Sequence, residues 1–99
     1  MNNETQATGT SISKEYLEEL KKAKLLDRDD SSKIAELTRQ VGIREGKGYT
    51  TEHIRNFLLR QYTTTPEIVS LITSYFMNKK KLRDKVAEQQ KEFIAQLTQ

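Results

Sequence analysis

The side chains that enzymes most often use for catalysis are scarce in this sequence of 99 residues. His53 is the only histidine, there is no cysteine, and neither a P-loop nor a GxGxxG pattern occurs. A lone histidine near the start of a predicted helix is more typical of a capping or surface residue than of a general base. The sequence therefore predicts no catalytic residue, no cofactor, no small-molecule substrate and no enzymatic activity.

Three aspartates, Asp27, Asp29 and Asp30, lie close enough together to suggest a cation site. They lack the spaced ligands and the closing glutamate of a calcium-binding loop. Aspartates in this position also cap helices and stabilise turns. We expect them to lie at the start of a helix, and we predict no metal site.

A further group of polar side chains is suited to contacts with nucleic acid. Arg55 can donate two hydrogen bonds to a guanine, and Asn56 can pair with the edge of an adenine. Thr50 and Thr51 can contact a phosphate or a thymine methyl group, and Arg60 can reach the phosphate backbone. The alternative is an ordinary solvated helix surface, because exposed helices often carry these residue types.

Helices must position these side chains. Apolar residues recur at intervals of three and four in successive stretches, and no stretch alternates as a half-buried strand would. Each of the first four stretches follows residues that cap helices well, namely Ser13, the run from Asp27 to Ser32, Thr50 or Thr51, and Thr65 before Pro66. The sequence predicts an all-α fold, a small bundle of four to five helices around one modest core.

The third and fourth predicted helices carry most of the candidate functional residues. The third is expected to cover residues 50–61, with Ile54, Phe57 and Leu58 facing inward. No glycine or proline occurs from residue 67 to residue 99. The fourth helix therefore either continues as one long C-terminal helix or breaks near Asn78.

The stretch from Gly48 to Leu58 reads GYTTEHIRNFL, and TTTPEIVSLITSYF follows it after a short interval. Over about residues 31–78 the chain resembles small helix-turn-helix regulators of phages and mobile elements. In those proteins a Gly-Tyr-Ser/Thr turn precedes a recognition helix, which lies in the major groove. The resemblance implies a helix-turn-helix-like unit that binds double-stranded DNA, with Gly48 and Tyr49 in the turn.

The resemblance also assigns positions within the recognition helix. Ile54 and Phe57 or Leu58 take the buried positions, and Glu52, His53, Arg55 and Asn56 take the exposed ones. The sequence departs from the pattern in one respect, since the interval from Val41 to Tyr49 is longer than the usual turn of about three or four residues.

Positive charge is unevenly distributed along the chain, whose formal net charge is +3. Acidic residues are sparse between Lys33 and Tyr62, and the densest basic run contains Lys79, Lys80 and Lys81. A basic flank of this kind suits a polyanion, and we predict that these three lysines contact DNA phosphates. The alternative is a solvated helix face.

An apolar stripe near the C-terminus consists of Leu82, Val86, Phe93 and Leu97. A single helix with such a stripe is only marginally stable in water, so it should pack on the domain or on another chain. One hypothesis is a sequence-specific DNA-binding regulator or accessory factor, in which the stripe forms a homodimer that reads paired half-sites. The alternative is a helical adaptor or inhibitor that binds a protein partner through this helix.

The organisation that these features predict is a leader and one domain with an extension. Residues 1–10 are interpreted as a disordered leader, 11–78 as the helical DNA-binding domain, and 79–99 as a basic and then amphipathic C-terminal helix. The polar N-terminus with Glu4 is unlike a signal peptide, and no run of about 18 apolar residues occurs. We therefore expect a cytoplasmic protein without a membrane partner.

Overall fold

The computed structural model describes residues 9–99, which contain four α-helices and one isolated β-bridge. The helices are α1 (Lys14–Lys22), α2 (Asp30–Gln40), α3 (Thr51–Leu58) and α4 (Pro66–Leu97). This confirms the all-α class and the long C-terminal helix, which does not break near Asn78. The predicted leader falls mostly on residues 1–8, which lie outside the described residues.

Three of the four helices begin as their capping residues predicted. The hydroxyl of Ser13 accepts a hydrogen bond of 3.0 Å from the backbone N–H of Tyr16. The hydroxyls of Thr50 and Thr65 do the same at the starts of α3 and α4. Each bond satisfies a backbone donor that the helix itself leaves without a partner.

The third helix is shorter than the expected span of residues 50–61. It ends at Leu58, Gln61 takes a left-handed conformation with φ of 58°, and the N–H of Tyr62 donates to the carbonyl of Asn56 at 3.1 Å. This turn reverses the chain toward α4. Arg60, which we expected on the helix, therefore lies in the turn that follows it.

The N-terminal end of the described chain is tied to the same turn region. Thr10 and Thr64 form an antiparallel bridge, in which the N–H of Thr10 donates to the carbonyl of Thr64 at 3.0 Å. The side-chain amide of Gln61 donates to the carbonyl of Ile12 at 2.8 Å. Thr10, which we included in the leader, is thus hydrogen-bonded to the domain.

One core holds the helices together, and it ends part-way along α4. Its buried apolar residues are Ile12, Leu17, Leu20, Leu25, Ile34, Ala35, Ile54, Leu58, Ile68, Ile72 and Phe76. Residues 80–99 are all exposed. Since 32 residues of helix span about 48 Å, the second half of α4 projects and the described chain measures 68 Å along its longest axis.

A buried carboxylate anchors α4 to α2 where the core ends. Asp30 is only 1% exposed, and its Oδ1 accepts hydrogen bonds from the Tyr75 hydroxyl and the Lys79 ammonium, both at 2.7 Å. Its Oδ2 accepts from the backbone N–H of Asp27 at 2.6 Å. The ammonium also contacts the Leu25 carbonyl and the Asp27 carboxylate, so the buried charge is fully partnered.

Replacing Asp30 should be costly because the Tyr75 hydroxyl would lose its partner and the Lys79 ammonium would lose its buried carboxylate, keeping only Asp27 and the Leu25 carbonyl. We expect Asp30→Ala to lower the free energy of unfolding by about 3 kcal/mol or more. Asp29→Ala is the matched control, since Asp29 forms only an exposed ion pair with Lys33, and its loss should cost less than about 1 kcal/mol. Urea denaturation measures both, and equal costs would contradict the anchoring role.

The same cluster should make stability fall at alkaline pH. Burial and the hydrogen bond to Asp30 raise the pKa of Tyr75. Burial acts to lower the pKa of Lys79, but its hydrogen bonds to Asp27 and Asp30 outweigh that effect and the pKa is raised. Both groups hold their protons more tightly in the folded chain, so the stability they contribute is complete below about pH 10 and is lost as the pH rises further.

Denaturation curves measured between pH 9 and 12 test this expectation. The fall in the free energy of unfolding should be shallower in Tyr75→Phe than in the wild type. Tyr62→Phe is the control, because Tyr62 lies exposed outside the cluster. A slope unchanged by Tyr75→Phe would show that this hydroxyl does not contribute.

Candidate nucleic-acid interface

The loop between α2 and α3 is compact despite its length. Gly42 lies two residues beyond the last residue of α2 and has φ of 85°. The N–H of Ile43 donates to the carbonyl of Thr38 at 3.0 Å, which makes this helix end a Schellman motif. The N–H of Gly48 then donates to the carbonyl of Ile43 at 2.9 Å. The loop therefore folds back on the last turn of α2 rather than extending from it.

Thr38 and Gly48 fix the point at which the chain returns. The Thr38 hydroxyl is buried, donates to the carbonyl of Ala35 at 2.6 Å and accepts from the N–H of Tyr49 at 2.8 Å. Gly48 has φ of 66°, and a Cβ there would lie 2.7 Å from the backbone nitrogen of Arg39. Only glycine allows this close approach, which sets the start of α3 beside α2.

Gly48→Ala should therefore disrupt the packing of α3 on α2. We expect a loss of about 2–4 kcal/mol in the free energy of unfolding, from the left-handed backbone and the overlap together. Gly46→Ala is the matched control, because φ is also positive but a Cβ there meets no described atom within 4 Å. It should cost about 1 kcal/mol. Thermal unfolding compares the two, and similar losses would argue against the close contact.

The inward face of α3 is apolar, as predicted. Ile54 and Leu58 are buried and Phe57 is partly buried. Phe57 meets the ring of Tyr49 edge to face at 5.2 Å, and the guanidinium of Arg44, in the same loop as Tyr49, lies 5.0 Å from the centre of the Tyr49 ring. These contacts orient the turn against the helix.

His53 takes part in capping α3. Its Nδ1 accepts a hydrogen bond of 3.2 Å from the N–H of Thr50, while its own N–H donates to the Thr50 hydroxyl at 3.1 Å. Its ring also lies edge to face against Tyr49 at 5.4 Å. This reciprocal capping box supports the interpretation of His53 as a capping residue.

The outward side chains of α3 and its following turn form one exposed network. Glu52 accepts from Arg55 at 2.6 Å and from Arg60 at 3.2 Å. Arg60 also donates to the side-chain oxygen of Asn56 at 2.6 Å. Four of the predicted DNA-contacting residues are therefore gathered on one surface, although Arg60 reaches it from the turn.

A shallow crevice of about 310 Å³ lies between α2 and the start of α3. Thr50 and Thr51 line it together with two basic residues, Arg39 and Lys47. Arg39 is paired with Glu36 on its own helix. Arg39 and Lys47 were not among the predicted site residues. The scarcity of acidic residues between Lys33 and Tyr62 is the feature of the sequence that could have identified them.

The three lysines at the start of the C-terminal extension do not share one surface. The Lys79 ammonium is enclosed by Asp27, Asp30 and the Leu25 carbonyl. Lys80 pairs with Asp84 at 2.8 Å. Lys81 follows the buried Ile72 by nine residues, which places it about 180° around the helix from the core.

The three aspartates do lie together, with one carboxylate oxygen from each within 4.8 Å of the others. Two of the three, Asp27 and Asp30, already bind the Lys79 ammonium. Asp29 pairs with Lys33 at 3.1 Å. Each carboxylate of this cluster is thus paired with a lysine of the same chain.

The residues of the C-terminal stripe are exposed. The exposed fractions are 62% for Leu82, 43% for Val86, 59% for Phe93 and 66% for Leu97. They lie on the part of α4 that projects beyond the core. Among residues 9–99, no helix is both long enough and apolar enough to cross a bilayer.

No protein-family model matches this chain, and neither a curated protein nor a solved structure matches it significantly.

Proposed function

We propose that this protein binds double-stranded DNA through α3, in the manner of a helix-turn-helix regulator. The observation that carries the proposal is the pairing of α2 and α3 around Thr38 and Gly48, with the polar face of α3 left exposed. In this arrangement α3 is the recognition helix and α2 crosses the phosphate backbone.

The dimensions of α3 suit the major groove. An α-helix with its side chains is about 10–12 Å across, which is close to the width of the groove in B-form DNA, so the eight residues of α3 can lie in the groove. Arg55 and Asn56 project from the side that does not face the core, so their side chains can reach base edges. Thr50, Thr51 and Lys47 surround the start of the helix and supply phosphate contacts.

The long interval between α2 and α3 is compatible with this mode of binding. The residues from Val41 to Lys47 form a closed loop, and Gly48 returns the chain to the last turn of α2. The start of α3 thus lies beside Thr38, where a short turn would also place it. The extra residues enlarge the loop without separating the two helices.

The ion pairs of Glu52 do not prevent contacts with bases. Exposed pairs of this kind contribute at most about 1 kcal/mol each, whereas one bidentate contact between arginine and guanine discriminates by about 1–3 kcal/mol. Arg55 can exchange its partner on binding, and in the free protein Glu52 restricts its motion. Glu52 itself can accept a hydrogen bond from a cytosine amine.

The experiment is a titration with duplex DNA of random sequence and with the tightest site selected from that pool. Binding should weaken steeply from about 50 to 200 mM salt, because neutralised phosphates release counterions. Arg55→Ala combined with Asn56→Ala should weaken binding to the selected site about 10- to 1,000-fold and leave random-sequence binding less affected. Absence of binding at about 50 mM salt would overturn the proposal.

Phosphate contacts should give a different response from base contacts. Lys47→Ala should weaken binding to all sequences by a similar factor and reduce the salt slope by about 1. Lys21→Ala is the control for charge, since it removes one positive charge from the exposed surface of α1. Equal effects of the two lysine variants would indicate a nonspecific field effect rather than contacts at the crevice.

The exposed stripe on α4 favours a second candidate function, an adaptor or inhibitor that binds a protein partner. Leu82 and Phe93 are more than half exposed, which is costly unless another surface covers them. The two functions predict different effects for the same substitutions. An adaptor would retain its partner after the Arg55 and Asn56 substitutions and would lose it when Phe93 becomes charged.

A further inference from the structure

We propose that the projecting half of α4 pairs with the same segment of a second copy of this chain, in antiparallel orientation, about a twofold axis between Gln89 and Gln90. The proposal concerns self-association and does not depend on DNA binding.

The spacing of the apolar stripe is the same in both directions along the helix. The intervals from Leu82 to Val86, to Phe93 and to Leu97 are four, seven and four residues. An antiparallel copy centred between residues 89 and 90 therefore places Leu82 opposite Leu97 and Val86 opposite Phe93. Each stripe is complementary to itself, which is what a twofold interface requires.

Charges beside the stripe agree with the same register. Lys85 and Glu92 lie seven residues apart on the same side of the stripe, about one quarter-turn or slightly more from its centre. In the antiparallel pair, Lys85 of each copy lies near Glu92 of the other, which gives two equivalent ion pairs. Gln89 of each copy lies opposite Gln90 of the other near the axis, where polar residues favour one register.

The domain itself disfavours the parallel orientation. Tyr75 and Lys79 lie seven residues before Leu82 and Val86, so they occupy the same face of α4. Both are covered by contacts with Asp30 at the edge of the domain. In a parallel pair, residues 75–79 of the partner would lie against this region, which the domain already covers. In an antiparallel pair, Leu97 of the partner lies opposite Leu82, so the contact between the two stripes ends before the domain.

The size of the contact is typical of a weak association. The overlap of Leu82 with Leu97 covers 16 residues, or about 24 Å of helix. Two helices of this length bury on the order of 1,000 Å² in total, which is at the low end for specific association. The dimer should therefore form in the range of roughly 10–100 µM.

Sedimentation equilibrium of the full chain at about 10 to 300 µM tests association. The apparent mass should rise toward twice the monomer mass of 11.5 kDa. Phe93→Glu should abolish the rise. Met77→Glu is the matched control, because Met77 is 61% exposed but lies about 180° around the helix from Val86. A constant monomer mass in the wild type, or equal loss in both variants, would overturn the proposal.

Charge reversal tests the register. Lys85→Glu should weaken the dimer, because it places two glutamates together at each site, and Glu92→Lys should do the same with two lysines. The combination of both substitutions should restore association. An unaltered dimer in both single variants, or no recovery in the double variant, would contradict this register.

Cysteine cross-linking tests the orientation, since the chain has no cysteine of its own. A mixture of Val86→Cys and Phe93→Cys chains should form the mixed disulfide under mild oxidation. Val86→Cys alone should not cross-link, because its two copies lie about 10 Å apart along the axis. Efficient cross-linking of Val86→Cys with itself would establish parallel pairing and overturn the antiparallel arrangement.

Discussion

The Asp30 carboxylate lies at the start of α2 almost without access to water, and a charge in that position has to be neutralised by neighbouring groups. Tyr75 and Lys79 supply two of these groups from α4, and the N–H of Asp27 supplies a third. The position of α4 against α2 is thereby fixed by directional bonds as well as by apolar packing. The same bonds mark where α4 leaves the core, so the exposed stripe begins just beyond them.

The loop between α2 and α3 shows how a local contact can compensate for an irregular chain length. Thr38 provides a buried hydroxyl that binds the N–H of Tyr49, and Gly48 provides the space for the backbone to approach. The position of α3 depends on these two residues more than on the number of residues in the loop. The polar network of Glu52, Arg55 and Asn56 is held at a defined place for the same reason.

The features predicted best from the sequence were those that depend on neighbouring residues. Ser13, Thr50 and Thr65 bind N–H groups three residues away, so their types and positions located these helix starts, that of α3 to within one residue. The partnership of Asp30 with Lys79 spans 49 residues, and no local pattern distinguishes this lysine from the exposed Lys80. For the same reason, Lys79 was grouped with phosphate-contacting lysines although its ammonium is paired with Asp27 and Asp30 at the edge of the core.

Because α4 is unbroken from Pro66 to Leu97, the directions of the side chains in its two halves are fixed relative to each other. Each residue of an α-helix advances the direction of the side chains by about 100°. The angle between the α2–α3 unit and the apolar stripe is therefore encoded by the number of residues between Lys79 and Leu82. Adding one residue there would rotate the stripe about the helix axis by more than a quarter of a turn. Adding eleven residues would lengthen α4 but leave the stripe facing in almost the same direction.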